Sequence, residues 1–270
     1  MTQPLFDHLP KLAMSIAAAR HLVLFLDFDG TLAPIVSEPT QAYMPAETRK
    51  TLTALAGAEK ISLAIISGRS LGDLKERVGM RKVIYAGNHG LEISGPGLQF
   101  VEPHAAQRIK ALGELSRHLR TRLRDVAGVD VENKILSASV HFRRVADADH
   151  QQVQETVLTA VGALGSLFDV TIGNKVCEIR PHVNWNKGMA IRWIKEMSKM
   201  SGALTMYIGD DVTDEDAFVA VADGVAIRVG RSSHTAARYH LPKQEAVQQF
   251  LSWLVDLHLE KAGQAHTPNV

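Results

Sequence analysis

The sequence predicts an α/β fold built on a doubly wound parallel sheet, with an inserted α+β segment. Five short runs are apolar almost throughout, which is typical of parallel strands that helices cover on both faces. These runs occupy residues 22–28, 61–67, 83–87, 204–210 and 224–229. Helical patterns at 46–58 and 70–79 separate the first three runs. The resulting β-α-β-α-β order favours a parallel sheet.

The middle of the chain departs from this order. Its patterns are amphipathic helices at 105–127 and 150–165, a polar-alternating stretch at 132–145, and a hairpin at 168–181 turning at Gly173-Asn174. Helices combined with antiparallel strands indicate a separate α+β domain. We therefore expect an inserted domain at 105–182 within a discontinuous core formed by 1–104 and 183–270.

Composition and charge exclude several classes of protein. The 270 residues are 46% hydrophobic, and 30 basic residues against 29 acidic ones leave a net charge of +1, so we expect no nucleic-acid partner. No uncharged run reaches the ~20 residues of a membrane span, and the N-terminus lacks a signal-peptide pattern. The single cysteine, Cys177, fits a reducing compartment. We expect a cytoplasmic monomer without a membrane partner.

Polar side chains follow three of the predicted strands. Asp27, Asp29, Gly30 and Thr31 come directly after the first strand, Ser67 and Gly68 after the second, and the stretch GDDVTDED at 209–216 ends the fourth. In open parallel sheets, ligands bind beyond the carboxyl ends of the strands. We therefore expect these residues to converge on one site.

Clustered aspartates beside apolar strands repel one another unless a cation neutralises them. Oxygen ligands favour a hard cation, and Mg²⁺ is the natural choice. A structural calcium site is an alternative reading of GDDVTDED alone. That alternative explains neither the glycine nor the threonine beside Asp27 and Asp29.

An anionic substrate accounts for that glycine and threonine. Gly30 allows close backbone approach, turn N–H groups can face phosphate oxygens, and the Thr31 hydroxyl adds a donor. Lys187, at the start of a predicted helix, is a candidate cation for the same phosphate. One carboxylate of Asp27 and Asp29 can then attack phosphorus while the other transfers protons.

Four stretches together resemble the motifs of the haloacid dehalogenase (HAD) superfamily of phosphatases. They are DFDGTL at 27–32, Ser67 within IISGR, Lys187 within NKG, and GDDVTDE at 209–215. The resemblance implies a Rossmann-like HAD core, with Asp27 as nucleophile and Asp29 as general acid and base. It also implies phosphate contacts from Ser67, Gly68 and Lys187, and Mg²⁺ held by Asp27, the backbone carbonyl of Asp29 and Asp210, with support from Asp211 and Asp214.

Longer stretches resemble the trehalose-6-phosphate phosphatase family within that superfamily. They are AGNHGLEI at 86–93, ENKILSASVHFR at 132–143, EIRP at 178–181 and YIGDDVTDEDAF at 207–218. The resemblance implies that the inserted domain is a cap that binds the sugar, through residues that map to His89, Lys134, His141, Arg143, Glu178 and Arg180. Read from the residues alone, Glu178 and Arg180 could pair across a sheet, His141 could be a core histidine, and His89 could fix a turn.

These observations lead to a Mg²⁺-dependent phosphatase acting on trehalose 6-phosphate as the expected function. Another capped HAD enzyme, acting on sucrose phosphate, mannosyl-phosphoglycerate or a hexose phosphate, or a phosphomutase on the same core, is the nearest alternative. A sugar-phosphate sensor without catalysis is a second. Intact Asp27, Asp29, Lys187 and Asp210 argue against a sensor, because a pure binder needs no nucleophile and no proton donor.

Overall fold

The computed structural model of the chain describes residues 2–36, 39–200 and 202–264. It divides into two compact units, Met1–Gln99 with Asn186–Val270, and Phe100–Trp185. The second unit is inserted in the first, and its limits differ by a few residues from the expected 105–182.

Within the described residues the chain forms strands β1 to β13 and helices α1 to α9. The strands are Gln3–Pro4, Leu22–Leu26, Ile61–Ile66, Val83–Gly87, Glu92–Gly95, Leu98–Val101, Asp130–Asn133, Ala138–His141, Phe168–Gly173, Val176–Pro181, Leu204–Gly209, Val225–Val229 and Tyr239–Leu241. The helices are Leu9–Ala18, Ala46–Gly57, Leu71–Val78, Pro103–Ala106, Ile109–Arg122, His150–Gly162, Lys187–Met197, Glu215–Ala220 and Glu245–Gln264. None of the helices in these ranges is long and apolar enough to cross a membrane.

The large sheet has the strand order β1-β13-β12-β11-β2-β3-β4-β5-β6. Strands β1, β13, β12, β11, β2, β3 and β4 are parallel, and β5 joins the edge of β4 antiparallel. The predicted α/β class with a mostly parallel sheet is confirmed. From β2 the chain adds β3 and β4 on one side and later β11, β12 and β13 on the other. The topological switch point therefore lies between β2 and β11, where open α/β sheets bind ligands.

Local sequence explains where the elements of this unit begin and end. All five residues of β2 are buried, and the strand ends where the apolar run meets Asp27. Helix α3 begins after Ser70, whose hydroxyl accepts a hydrogen bond from the Asp73 N–H, and it ends at Gly79 in the left-handed conformation. Helix α7 begins in the same way, because the Asn186 side chain accepts from the Met189 N–H.

The inserted unit pairs a four-stranded antiparallel sheet, in the order β7-β8-β10-β9, with helices α5 and α6. One face of the sheet is apolar and packs against the two helices around Val140, Cys177 and Ile179. Side chains alternate across a strand, so the neighbouring positions point to the opposite face. That second face carries polar side chains of these strands.

The turn between β9 and β10 was predicted at Gly173-Asn174, and this prediction is wrong by one residue. Gly173 pairs with Val176, so Asn174 and Lys175 form the turn. Lys175 has a φ of 63°, the left-handed conformation that glycine adopts more readily than other residues.

Candidate active site

The candidate site lies at the switch point, at the carboxyl ends of β2 and β11. Asp27 directly follows β2, and its N–H donates to the Ile208 carbonyl of β11 over 2.9 Å. Asp210 is the residue directly after β11. The two strands therefore deliver carboxylates from widely separated parts of the sequence to one place.

Lys187 joins Asp27 to a third carboxylate. Its Nζ lies 2.7 Å from Asp27 Oδ1 and 2.6 Å from Asp214 Oδ1. All three side chains are buried, with Lys187 only 3% exposed. Because Lys187 is the first residue of α7, the cap formed by Asn186 also sets the position of the ammonium group.

Asp214 is held by donors at both of its oxygens. Besides Lys187, its Oδ1 accepts from the Tyr207 hydroxyl over 2.5 Å, and its Oδ2 accepts from the Asp211 N–H over 2.9 Å. Burial alone would raise the pKa of Asp214, but the charge and hydrogen bond of Lys187 and the hydroxyl of Tyr207 hold it below the usual value. Burial would likewise lower the pKa of Lys187, whereas Asp214 and Asp27 raise it. Asp214 is thus ionised and firmly oriented.

Asp27, Asp210 and Asp214 each offer an oxygen within 4.8 Å of the others, and such a group could hold a metal ion. Burial, together with the neighbouring Asp214 and Asp210, raises the pKa of Asp27 well above its usual value, although Lys187 opposes this. Burial and Asp214 raise the pKa of Asp210 to about 7. This oxygen-only cluster carries more negative charge than Lys187 neutralises, and it fits a hard divalent cation.

Gly30 closes one side of this cluster. Its φ is +80°, and a Cβ at this position would overlap the Asp210 carboxylate. The neighbouring Thr31 hydroxyl donates to Asp210 Oδ1 over 3.3 Å. A glycine is therefore required here both by the backbone conformation and by the space that Asp210 occupies.

Asp29 belongs to a different arrangement from the three clustered carboxylates. Its two oxygens accept hydrogen bonds from the guanidinium of Arg69, from Nε to Oδ2 and from Nη2 to Oδ1, each 2.7 Å long. The side chain is 41% exposed. The Asp29 carboxylate is therefore directed to Arg69, and only the backbone carbonyl of Asp29 stays a candidate metal ligand, as the family resemblance implies.

The stretch from Ser67 to Arg69 is fastened to the turn that contains His89. The Ser67 hydroxyl is buried and accepts from the Arg69 N–H, and the Ser67 carbonyl accepts from the His89 N–H over 2.8 Å. His89 has a φ of 58°, and its ring lies so close to Gly68 that a Cβ there would approach Cε1 to 2.7 Å. His89 therefore braces the predicted phosphate-binding segment, whatever further contact it makes.

A sequence model of the trehalose-phosphatase family matches residues 25–245. The chain belongs to the trehalose-phosphatase family. It is 39% identical over 253 residues to a trehalose-phosphate phosphatase of Mycolicibacterium paratuberculosis, a match covering 88% of this chain and 63% of that protein. It is 34% identical to a trehalose 6-phosphate phosphatase of Zea mays, over 90% of this chain and 72% of that protein.

The solved structures agree with this assignment at the level of the fold. The C-terminal domain of the trehalose-6-phosphate phosphatase of C. albicans is similar over 95% of this chain and 98% of its own, with a TM-score of 0.79 and 22% identity. The family model and the sequence relatives confirm the family resemblance seen in the motifs. The chain spans 63% of the length of the Mycolicibacterium relative.

In this trehalose-phosphatase family member, four of the residues predicted to bind sugar share the polar face of the inserted sheet. They are Lys134, His141, Glu178 and Arg180. Glu178 lies opposite Ser139, which lies opposite Glu132, and Arg180 donates to Thr171 over 3.2 Å. His141 is bonded to Glu132 at 3.1 Å, so it belongs to this polar group and not to the apolar core. This face therefore carries acidic and basic side chains close to one another.

Arg143 has a contact of another kind, because its Nη2 donates to the Asn174 carbonyl in the β9–β10 turn over 3.2 Å. Glu132 was absent from the predicted residues, yet it contacts His141 and lies 3.9 Å from Lys134 Nζ. Its position two residues before Lys134, in a polar-alternating stretch, is the signal that identifies it.

Two further residues of the core site were also missed. Tyr207 donates to Asp214, and the only hint in the sequence is a hydroxyl in the apolar run before Asp210. Arg69 binds Asp29, and the only hint in the sequence is its place as the last residue of the IISGR stretch after the second predicted strand. Neither pairing can be read from spacing, because each joins residues that a fold must bring together.

Replacing Asp210 by Asn should stabilise the metal-free protein at alkaline pH. The folded state holds a proton on Asp210 up to about pH 7, whereas the unfolded chain releases it near the ordinary value of 3.8. The unfolded state then binds fewer protons between these values, so the contribution of Asp210 to stability falls as the pH rises through this window. With chelator at pH 8, we expect Asp210→Asn to raise Tm by ~2–4 °C, as for about 1 kcal/mol.

The measurement is thermal unfolding with chelator at pH 4 and pH 8, followed by addition of Mg²⁺. The difference from the unaltered protein should shrink at pH 4, and the variant should lose the rise in Tm on adding Mg²⁺. Asp216→Asn, an exposed carboxylate of the same acidic stretch, is the control. A lower Tm for Asp210→Asn at pH 8 with chelator would contradict the prediction.

Proposed function

We propose that the protein is a phosphoric monoester hydrolase that converts trehalose 6-phosphate to trehalose and phosphate through a covalent intermediate on Asp27. The observation that carries the proposal is the contact of Asp27 with the buried ammonium of Lys187, beside Asp210 at the switch point of the sheet. This arrangement would put three groups next to one another: a nucleophile, a cation for the phosphoryl oxygens, and a carboxylate cluster suited to a metal ion. Relatives named as trehalose-phosphate phosphatases support the choice of sugar.

The residues of the core site have different roles in the reaction. Asp27 attacks phosphorus, and the bond to the sugar oxygen breaks as Asp29 gives that oxygen a proton. A water molecule then transfers a proton to Asp29 and attacks the phosphoryl group on Asp27, which releases phosphate. Lys187 favours the ionised form of Asp27 and neutralises the transferred phosphoryl oxygens. The N–H groups of Gly30 and Ser67 already donate to the Ala33 and Ala86 carbonyls, so the Thr31 and Ser67 hydroxyls would provide further donors.

Mg²⁺ would be held by Asp27 and Asp210, with the Asp29 carbonyl and the supporting Asp211 and Asp214. Both oxygens of Asp214 already accept N–H or O–H donors, so its main part is to orient Lys187. The cation would lower the cost of ionising Asp27, whose pKa is raised in its absence, and would draw charge from the phosphoryl group.

The sugar would be recognised by the polar face of the inserted unit, which would act as a cap. A disaccharide offers many hydroxyl groups, and the side chains of Glu132, Lys134, Glu178 and Arg180 supply charged donors and acceptors for them. The charge alternation on this face favours a neutral polyol over a second anion. The cytoplasmic location and the monomeric state stay predictions from the sequence.

Steady-state turnover on a panel of sugar phosphates tests the reaction and the substrate together. With Mg²⁺ present, trehalose 6-phosphate should give the highest kcat/KM, and chelator should abolish turnover until Mg²⁺ is restored. Equal or better turnover of glucose 6-phosphate or sucrose phosphate would favour another capped HAD phosphatase. Binding of sugar phosphates without any phosphate release would favour a sensor.

Asp27→Asn should leave a folded protein without turnover. The amide has nearly the shape of the carboxylate but cannot attack phosphorus, so kcat should fall by at least about 1000-fold. Phosphate release and thermal unfolding are the measurements. Asp216→Asn serves as the control, because it makes the same change outside the cluster. A folded Asp27→Asn protein with near-normal kcat would remove Asp27 from the role of nucleophile.

Glu178→Gln should weaken substrate binding without slowing the chemical step. Losing one charge-assisted hydrogen bond to a sugar hydroxyl should raise KM about 10-fold and leave kcat nearly unchanged. Arg143→Gln is a matched control on the same unit, because Arg143 contacts the hairpin turn. Turnover of a small aryl phosphate should not respond to Glu178→Gln. A normal KM for trehalose 6-phosphate would exclude Glu178 from the sugar site.

A further inference from the structure

Arg69 lies between two carboxylates. One belongs to Asp29, the candidate general acid and base, and the other to Asp73. One edge of its guanidinium, formed by Nε and Nη2, binds both oxygens of Asp29, while Nη1 donates to Asp73 Oδ2 over 2.8 Å. We propose that Arg69 is a positioning residue for Asp29, holding its carboxyl group in the orientation that proton transfer requires. The role rests on the proposed function, in which Asp29 transfers protons.

The Arg69 side chain is itself held in place by its neighbours, so it can fix the orientation of Asp29. Its side chain is only 11% exposed, and its guanidinium carbon lies 5.5 Å from the centre of the Phe28 ring. Asp73 is fixed in turn by Arg77, whose Nε lies 2.8 Å from the same Oδ2. Burial would lower the pKa of Arg69, but Asp29 and Asp73 raise it, so the group stays charged.

The two-bond geometry explains how Asp29 can change protonation without losing its place. An ionised carboxylate accepts one N–H on each oxygen, as observed here. When Asp29 takes a proton from water, the protonated oxygen becomes a much weaker acceptor for Arg69, but the other oxygen still accepts a strong hydrogen bond. The carboxyl group then stays attached by one bond and turns its O–H away from the guanidinium. Giving that proton to the sugar oxygen restores the two-bond form.

A planar, forked donor is needed for this role. Lysine could provide the charge but only as a point donor, so it would not fix the plane of the carboxylate. The part that Arg69 plays in the backbone does not depend on its side chain, since its N–H and carbonyl bond to Ser67 and Asn88. A substitution of the side chain therefore removes the hydrogen bonds to Asp29 and Asp73 without removing these backbone bonds.

The test compares Arg69→Ala and Arg69→Lys with Arg49→Ala in the full chain. Arg49 is a structural arginine of the same unit that donates to the Arg77 and Val78 carbonyls, which makes it a matched control. On trehalose 6-phosphate we expect Arg69→Ala to lower kcat about 100-fold with KM changed less than about 3-fold, as for a misplaced catalytic group. Arg69→Lys should resemble Arg69→Ala, and Arg49→Ala should lower Tm without this loss of kcat.

A double-mutant cycle with Asp29→Asn then separates positioning from a general structural effect. If Arg69 acts through Asp29, adding Arg69→Ala to Asp29→Asn should cost less than about 3-fold more in kcat. An activated aryl phosphate, whose leaving group needs no proton, should lose little of its first-turnover release in the Arg69 variants. Should Arg69→Ala not fold, Arg69→Lys carries the same cycle.

Three results would overturn the positioning role: losses that multiply in the double variant, a change in KM instead of kcat, or a normal kcat for Arg69→Lys. These differ from a failure of the proposed function. Absence of turnover by the unaltered protein on every phosphate ester would defeat that function. Normal turnover of the unaltered protein with multiplying losses would defeat only the role of Arg69.

Discussion

The buried ammonium of Lys187 is the interaction on which the rest of the site depends. A cluster of aspartates at the ends of two apolar strands would be costly to ionise, and one cation placed between Asp27 and Asp214 offsets part of that cost. Removing Lys187 would leave the buried carboxylates of Asp27 and Asp214 without their cation. Three further contacts support this arrangement. The Asn186 cap fixes the start of α7, and the Tyr207 hydroxyl and the Asp211 N–H both donate to Asp214.

The topology of the sheet explains why these groups meet. Strands β2 and β11 are neighbours although about 180 residues of sequence separate them, because the chain reverses its direction of growth between them. The crevice so formed receives Asp27 from one strand and Asp210 from the other. Lys187 reaches it from α7, which follows the inserted unit directly. The chain thus re-enters the core at Asn186, one residue before the lysine of the site.

Charge is distributed differently in the two units. The core site holds three clustered carboxylates beside Lys187, and it therefore suits a metal ion. Burial, together with the neighbouring carboxylates, raises the pKa of Asp27 and of Asp210 in the absence of such an ion. The polar face of the inserted sheet mixes both signs, with Glu132 near His141 and Lys134. Such a face suits a neutral polyol. In the proposed function, the core site would bind the phosphoryl group and the polar face of the inserted sheet would bind the sugar.

The sequence by itself determined the fold class, the parallel strands and the family, because apolar runs and short motifs are local properties. It also predicted that Asp27 and Asp210 lie close together, since strand ends of a parallel sheet meet at one edge, and it gave Lys187 as a candidate cation from its place at the start of a helix. It misplaced the β9–β10 turn by one residue, because Lys175 adopts a left-handed conformation that composition assigns to glycine. Only the tertiary structure decided which side chains bond: Arg69 with Asp29, Tyr207 with Asp214, and Glu132 with His141. Each of these contacts depends on the register and rotation of packed elements, and spacing along the chain carries no record of either.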